Sequence, residues 1–406
     1  MTAIISIGNE ILLGKTLNTN LQFLATRLAG LGLPVDHALT IKDDPAAIRN
    51  ALERCWAESE IVISTGGLGP TDDDITKASI AEFFGVGMRF DAQVWERVQE
   101  MFARRGLPTP EINRNQALVP EGFEALSNER GTAPGLYYES GDKVFFALPG
   151  VPLEMEHIFD THIAGIIKNK YRRPPVIQRN IHTFGISESL LAERLRDLQI
   201  PKGLELAWLP QTGRVDLRLY GGEVSLIDGK LAEIIQRVPE VVWGVDEDIP
   251  AGVLGDLLRS RGIKVSFAES CTGGLAQKML TDQSGSSDYF LGGVVSYSNS
   301  LKQSFLGVSE ECLEHHGAVS SETAEAMATG IRSRSGAEIG VSITGIAGPE
   351  GGSPEKPVGT VWFGFALPER TFTEKQVFSG DRAGIRHKAA EYAILRLVKE
   401  LRGIKV

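Results

Sequence analysis

The chain has 406 residues, 42% of them hydrophobic, and its 52 acidic and 42 basic side chains give a formal charge of −10. That length buries ample apolar surface in about two to four domains, and the acidic balance gives no general support for non-specific binding to nucleic acid or anionic membranes. The three cysteines, Cys55, Cys271 and Cys312, are few, odd in number and not spaced as a zinc knuckle, so reduced thiols in the cytoplasm are expected. The start MTAIISIGNEILLGK has no basic stretch before an apolar segment, and no apolar run approaches the roughly 18 residues of a spanning helix, which predicts a soluble protein without a membrane partner.

From Ala3 to about Lys170, the runs AIISIG, VDHALTI and EIVISTGG read as strands, and LNTNLQFLATRLAGLG and PAAIRNALERCWAES as helices. This alternation predicts parallel strands with crossover helices, closed by KVFFALPGVPLEMEHIF as strand, turn and helix. Glycine-rich, acidic loops follow the first and third strands, at Gly8-Asn9-Glu10 and from Gly66 to Asp74. The carboxyl ends of strands are where open α/β sheets bind ligands. Tyr171-Arg172-Arg173-Pro174-Pro175 reads as a linker, because paired prolines stiffen an extended connection. Residues 171–248 then suggest a small α+β module of two helices on a partly hairpin-built sheet. No reactive set gathers in it, and His182 is read as structural. Its turn Gln211-Thr212-Gly213-Arg214 lacks the GxxG pattern of a nucleic-acid-clamping KH loop, so the module is read as a spacer or dimer-forming unit. Residues 249–406 return to α/β, with strands in IKVSFAES, GGVVSYSN, EIGVSITG and GTVWFGFAL and a last helix from near Gly384 to Leu401.

Two stretches carry candidate chemistry. In STGGLGPTDDDIT, Gly67 and Gly69 let backbone N–H groups approach an anion beside Thr71, and the carboxylates that follow, Asp73 and Asp74 among them, suit a hard divalent ion. Glu10, Asn18 and Asn20 lie where they can converge on the same sheet edge. The competing reading is a solvated turn and acidic helix cap. In AESCTGG, three nucleophiles or hydroxyl ligands precede two glycines where a strand becomes a helix, which allows a catalytic turn, a phosphate cradle or a plain cap. Cys271 wants a histidine base, but His315 and His316 sit in the helical stretch ECLEHHG with no route to the turn. Ser270 in an ordinary triad also needs a histidine, and the G-x-S-x-G elbow is absent. A different base stands in Tyr297-Ser298-Asn299-Ser300-Leu301-Lys302, at a second strand end. A desolvated Lys302 can take the Ser270 proton, with Tyr297 to relay or orient it. Gly273 and Gly274 after Thr272 leave helix N–H groups open to an oxyanion or a phosphate.

GNEILLGKTLNTN, STGGLGPTDDDITK and LPGVPLEM together resemble the N-terminal domain of the competence/damage-inducible CinA family, which is similar to molybdopterin-binding domains. AESCTGG, YSNSLK, SITGIAGPEGG and FSGDR resemble the C-terminal domain of the same family, the nicotinamide mononucleotide deamidases. The resemblance implies a molybdopterin-binding-like α/β domain in residues 1–170, a small α+β, KH-like linker domain in 171–248 and an α/β deamidase domain in 249–406. It implies two hydrolyses of pyridine-nucleotide recycling: nicotinamide mononucleotide to nicotinate mononucleotide and ammonia, and ADP-ribose to AMP and ribose 5-phosphate. Carried over, Ser270 is the nucleophile, Lys302 the base and Tyr297 their helper, with N–H groups from Thr272 to Gly274 steadying the oxyanion. Asn299, Thr344 and Arg382 hold the ribose phosphate, and that step takes no cofactor. In the N-terminal domain Gly67, Gly69 and Thr71 hold phosphoryl oxygens, and Asp73, Asp74 and Glu10 serve a divalent ion, Mg, Mn or Co. The expected partners are these nucleotides and a second copy in a homodimer, not nucleic acid. The alternative is a nucleotide- or molybdopterin-binding regulatory protein linked to competence, without turnover in the N-terminal domain.

Overall fold

Every residue of Thr2–Ile7 is buried, as in a strand covered on both faces of its sheet. The computed structural model that shows this describes residues 1–71, 73–211 and 214–403. Asp72 of the acidic run and Thr212 and Gly213 of the middle turn lie outside the described residues. The chain divides into two units, Met1–Ile177 and Gln178–Val406.

In the first unit a six-stranded sheet is ordered His37–Ile41, Thr2–Ile7, Ile61–Thr65, Lys143–Leu148, Gly135–Ser140, Glu124–Leu126. The first four strands run parallel, as the alternation predicts, and the last two antiparallel. Period two along the strands divides the core. Ala3, Ile5, Ile7, Val62 and Phe145 face the helices Pro45–Glu58 and Ala92–Arg104, while Ile4, Ile61, Ile63 and Phe146 face Thr19–Gly30 and Pro152–Ile158. Three of these helices start on side-chain caps: Asn18 accepts from Leu21 N–H, Asp44 from Ala47 N–H and Asp91 from Gln93 and Val94 N–H.

The second unit holds two sheets. Its antiparallel one is ordered Leu204–Gln211, Arg214–Gly221, Gln178–Thr183, Val242–Val245 and carries the helices Glu188–Arg194 and Val224–Arg237, the small α+β module expected. His182 there stacks on Trp243, its Nε2 lies 2.8 Å from the Asp246 carbonyl oxygen and its Nδ1 3.1 Å from the Asp216 carboxylate. It is a structural histidine. The five-stranded sheet is ordered Phe290–Val295, Val265–Glu269, Ile339–Gly345, Thr360–Ala366, Thr371–Val377, the first three parallel and the last two antiparallel to their neighbours. The last helix runs Arg382–Leu401 and joins the core beneath this sheet through Ile385, Ala389, Ala393 and Leu397. No helix among the described residues is long and apolar enough to cross a membrane.

On the other face the helix Ser321–Ser335 lies unusually close to the strands. A Cβ at Gly340 or Gly364 would stand 2.2 or 2.3 Å from the carbonyl oxygens of Ala328 and Ala324, and Ser342 Oγ donates to Ala324 O at 2.5 Å. The same helix admits its neighbour Asn299–Leu306 equally closely, since a Cβ at Gly330 would stand 1.9 Å from the Leu306 carbonyl oxygen. This close approach carries Lys302 into the interior. Replacement Gly330→Ala is expected to lower stability by about 1–3 kcal/mol despite alanine's better helix propensity, because backbone must move to admit the methyl. Urea unfolding measures the loss.

Candidate active site

The strand Val265–Glu269 ends at the edge where its parallel neighbours Phe290–Val295 and Ile339–Gly345 also end. Ser270 N–H is still tied to the Ile343 carbonyl at 2.8 Å, so the serine leaves the sheet from a fixed point. Gly273 and Gly274 then turn the chain with φ of 62° and 91°, the left-handed region that glycine enters without a Cβ penalty, and the helix Leu275–Thr281 begins. The buried Glu269 carboxylate fills the start of this helix. It accepts from Gly274 N–H at 2.9 Å, Ala276 N–H at 3.3 Å and Gln277 N–H at 2.8 Å. The open helix end expected from the sequence is therefore already closed by the protein's own anion, as the orphan donors of a helix start require.

The second strand end supplies Lys302. Ser298 caps the helix Asn299–Leu306 by accepting from Leu301 N–H, and Lys302 reaches back from it to the turn. Its Nζ donates to Ser270 Oγ at 3.1 Å and to the Ser296 carbonyl at 2.8 Å, and the side chain is 1% exposed. Burial lowers the Lys302 pKa from the ordinary lysine value. Cys271, beside the serine, is buried and its thiol is pushed up to about 12, chiefly by desolvation, so it stays protonated and packs as a small neighbour. A cavity of about 290 Å³ opens over the pair, and its lining includes Ser270, Tyr297, Lys302, Thr344, Glu350 and Arg382.

The remaining expected residues divide. Thr344 lines the cavity, with its hydroxyl donated to the Ala318 carbonyl at 2.6 Å. Arg382 lines it too, and donates to the Gly348 carbonyl at 2.7 Å and to the Tyr297 hydroxyl at 2.9 Å. Tyr297 is 61% exposed and has no hydrogen bond to Ser270 or Lys302 among the described residues, so the structure ties it to the arginine and not to the dyad as a proton relay. Asn299 opens its helix on the exposed side and is not among the residues that line this cavity. Thr272 is buried away from the cavity with its carbonyl accepting from Arg386 at 2.7 Å. Gly273 N–H is spent on the Ser270 carbonyl and Gly274 N–H on Glu269. Anion holding therefore shifts away from those two glycines. The N–H group of Cys271, which lines the cavity and has no carbonyl or carboxylate acceptor among the described residues, is the donor left beside Ser270. Sequence reasoning missed Glu269, the Ser296 carbonyl and Glu350. Only Glu269 left a readable signal, an acid at a strand end just before a helix start.

The first unit also builds an edge at the carboxyl ends of Thr2–Ile7, Ile61–Thr65 and Lys143–Leu148. Gly66 has φ of 112° and a Cβ there would stand 2.1 Å from the Ile7 carbonyl oxygen, while a Cβ on Gly67 would meet Thr76 Oγ1. Asn18 Nδ2 donates to Ser6 Oγ at 2.8 Å; Asn20 Nδ2 donates to Thr65 Oγ1 at 3.0 Å and the Gly150 carbonyl at 2.8 Å. Asn20 Oδ1 and Thr76 Oγ1 are buried with no hydrogen-bond partner among the described residues, which leaves two polar atoms at this edge with capacity for a ligand or water. The carboxylates are less gathered. Asp74 accepts from Thr71 N–H at 3.0 Å and Thr71 Oγ1 at 2.6 Å and closes over Gly69, Asp73 is exposed, and Glu10 folds over Gly8. No group of three or more His, Cys, Asp or Glu side chains gathers as a metal site among the described residues. These hard oxygen donors fit a Mg-type cation in its usual manner, through one or two carboxylates shared with ligand phosphates and water. Lys77, unremarked in the sequence, is buried behind the same loop; it donates to the Asn115 carbonyl, and desolvation lowers its pKa to about 8 against the opposing pull of Asp74.

An α/β unit, an antiparallel α+β module and a second α/β sheet with a buried Ser-Lys contact define a three-part chain. Comparison with known proteins identifies each part. Residues 3–169 match the probable molybdopterin binding domain, 178–244 the damage-inducible protein CinA KH domain and 248–401 the CinA C-terminal domain. The chain is 42% identical over 419 residues to a putative competence-damage inducible protein of Symbiobacterium thermophilum, covering 98% of each, and 42% identical to a CinA-like protein of Salinibacter ruber, covering 93% of this chain and 94% of that one. A crystal structure of the CinA protein from Thermoplasma acidophilum is 34% identical and covers 41% of this chain and 96% of that one, with a TM-score of 0.38. The chain belongs to the competence/damage-inducible CinA family.

Replacing Glu269 tests its role in holding the turn. Glu269→Ala leaves one buried and two part-buried N–H groups without their acceptor and is expected to cost about 2–3 kcal/mol. Glu269→Gln, which keeps one acceptor oxygen, loses less, and chemical denaturation of the two variants ranks them.

Proposed function

We propose that the C-terminal site hydrolyses the carboxamide of nicotinamide mononucleotide, giving nicotinate mononucleotide and ammonia through a serine-lysine dyad. The observation that carries this reading is the 3.1 Å contact between Lys302 Nζ and Ser270 Oγ in a place nearly closed to water. Desolvation favours the neutral amine, which accepts the Ser270 proton as Oγ bonds to the carboxamide carbon. Negative charge then develops on the amide oxygen, and the N–H group of Cys271 is the donor available to stabilise it. Lys302 returns the proton to the amide nitrogen, the C–N bond breaks, and ammonia leaves an ester on Ser270. A water that gives a proton to Lys302 attacks the ester, the C–Oγ bond breaks with reprotonation of Ser270, and the carboxylate departs. Arg382 is the charge partner for the phosphate, with Tyr297 bracing its guanidinium.

Ammonia release from nicotinamide mononucleotide tests this. Ser270→Ala is expected to lower kcat by at least about 10³-fold, and retention of full activity removes the serine from the mechanism. Because the unprotonated amine is the working form and burial lowers its pKa, kcat/KM should rise with pH and level off below the ordinary lysine value of 10.5. Lys302→Arg, whose guanidinium stays protonated, should lose both the activity and the rising limb.

For the N-terminal unit we propose metal-dependent hydrolysis of ADP-ribose to AMP and ribose 5-phosphate. The glycine-lined edge with its unpartnered Asn20 Oδ1 and Thr76 Oγ1 supports a ligand there. Asp73, Asp74 and Glu10 would hold the divalent ion, which when bound neutralises diphosphate charge and lowers the pKa of the attacking water. Gly67 supplies close backbone approach for phosphoryl oxygens, whereas Asp74 covers Gly69 and holds the Thr71 N–H and hydroxyl. AMP formation should vanish with a chelator and fall at least about tenfold in Asp73→Ala or Asp74→Ala. The second reading, binding without turnover, is favoured by the match of residues 3–169 to molybdopterin-binding domains, and it expects pterin phosphate to bind with no AMP released.

A further inference from the structure

Three charged side chains line the cavity over Ser270: Lys302, Glu350 and Arg382. The Lys302 amine is committed to Ser270 and the Ser296 carbonyl, which leaves one carboxylate and one guanidinium to meet a ligand. Glu350 stands on the connection between Ile339–Gly345 and Thr360–Ala366, and that connection is anchored on both sides of it. Before it, the Gly348 carbonyl accepts from Arg382 at 2.7 Å; after it, Lys356 Nζ donates to the carbonyls of His316 at 3.1 Å and Val319 at 2.8 Å. No hydrogen bond or ion pair engages the exposed Glu350 carboxylate among the described residues. A cavity with a free carboxylate and a guanidinium on its walls suits a dipolar ligand.

We propose that Glu350 determines specificity by facing the positive ring of an N-substituted pyridinium while Arg382 takes the phosphate of the same molecule. The inference rests on the deamidase reading. In nicotinamide mononucleotide the ring nitrogen bonded to ribose carries a full positive charge, and the phosphate at the other end carries the negative one. A carboxylate beside the ring attracts this molecule and does nothing for the same carboxamide on a neutral ring. The attraction acts on the bound ground state and the transition state alike, so it appears in KM and leaves kcat nearly unchanged.

The experiment compares nicotinamide mononucleotide with its 1,4-dihydro form, which keeps carboxamide, ribose and phosphate but has a neutral ring. In Glu350→Gln, KM for nicotinamide mononucleotide should rise about fivefold, the scale of one solvent-open charge pair, with kcat within about twofold and the inhibition constant of the dihydro form nearly unchanged. Glu350→Asp should restore most of the loss, Glu350→Lys should deepen it, and added salt should narrow the gap between wild type and Glu350→Gln. Equal weakening of both ligands, or no change in either, overturns the proposal. If the wild-type protein releases no ammonia, the deamidase reading fails by itself, and calorimetric affinities of the two ligands for wild type and Glu350→Gln still decide the role of Glu350: preference for the cationic ring that disappears in the variant upholds it, and equal affinities sink it.

Discussion

An ammonium group withdrawn from water is unfavourable unless its hydrogen bonds are replaced, and Lys302 replaces them with only two oxygens, Ser270 Oγ and the Ser296 carbonyl. The surrounding architecture exists around that constraint. Helix Asn299–Leu306 must press inward for the lysine to reach the strand edge, and it can do so because Gly330 lets the next helix touch the Leu306 carbonyl. That helix in turn lies on the sheet through Gly340, Ser342 and Gly364. Small residues remote from the reaction thus set how far Lys302 is shielded, and shielding is what lowers its affinity for a proton.

Both α/β units solve the problem of positioning by the same means, each within its own sheet. Parallel strands end together, the chain leaves them through glycines with positive φ, and polar groups from neighbouring ends meet there. What differs is how much is committed. In the second unit the lysine, the serine and the helix-closing glutamate are all hydrogen-bonded within the protein. In the first, Asn20 Oδ1 and Thr76 Oγ1 have no partner among the described residues and the carboxylates stand apart, while around the second turn Thr272 Oγ1 and Gln277 Nε2 are left without one.

The strand ends and the Ser270–Lys302 pairing were legible in the sequence because each motif directly follows an apolar run, and adjacent parallel strands, with Glu269 opposite Val295, bring those ends together. The strand Thr371–Val377 was not legible, since TFTEKQV on a sheet edge is mostly polar and only half covered. Residue type also misled where the backbone does the work. The Ser296 carbonyl is chosen by geometry that any residue could supply, and Glu269 consumes the helix-start donors that the sequence reading assigned to an outside anion. Tyr297 and Asn299 share a motif with Lys302, yet one bonds Arg382 and the other opens the helix toward solvent. In the first unit Gly66 and Gly67 were readable as a close-approach loop, but Lys77 was not, because only the fold reveals that a lysine after an acidic run is buried.

The Glu269 carboxylate also fixes how the second unit responds to its ionic surroundings. A helix start normally attracts whatever anion is at hand, and here that attraction is permanently satisfied from within. The Gly274, Ala276 and Gln277 N–H groups are therefore not open to inorganic phosphate or sulfate, and the cationic side chains near Ser270 are Lys302 and Arg382 of the cavity lining.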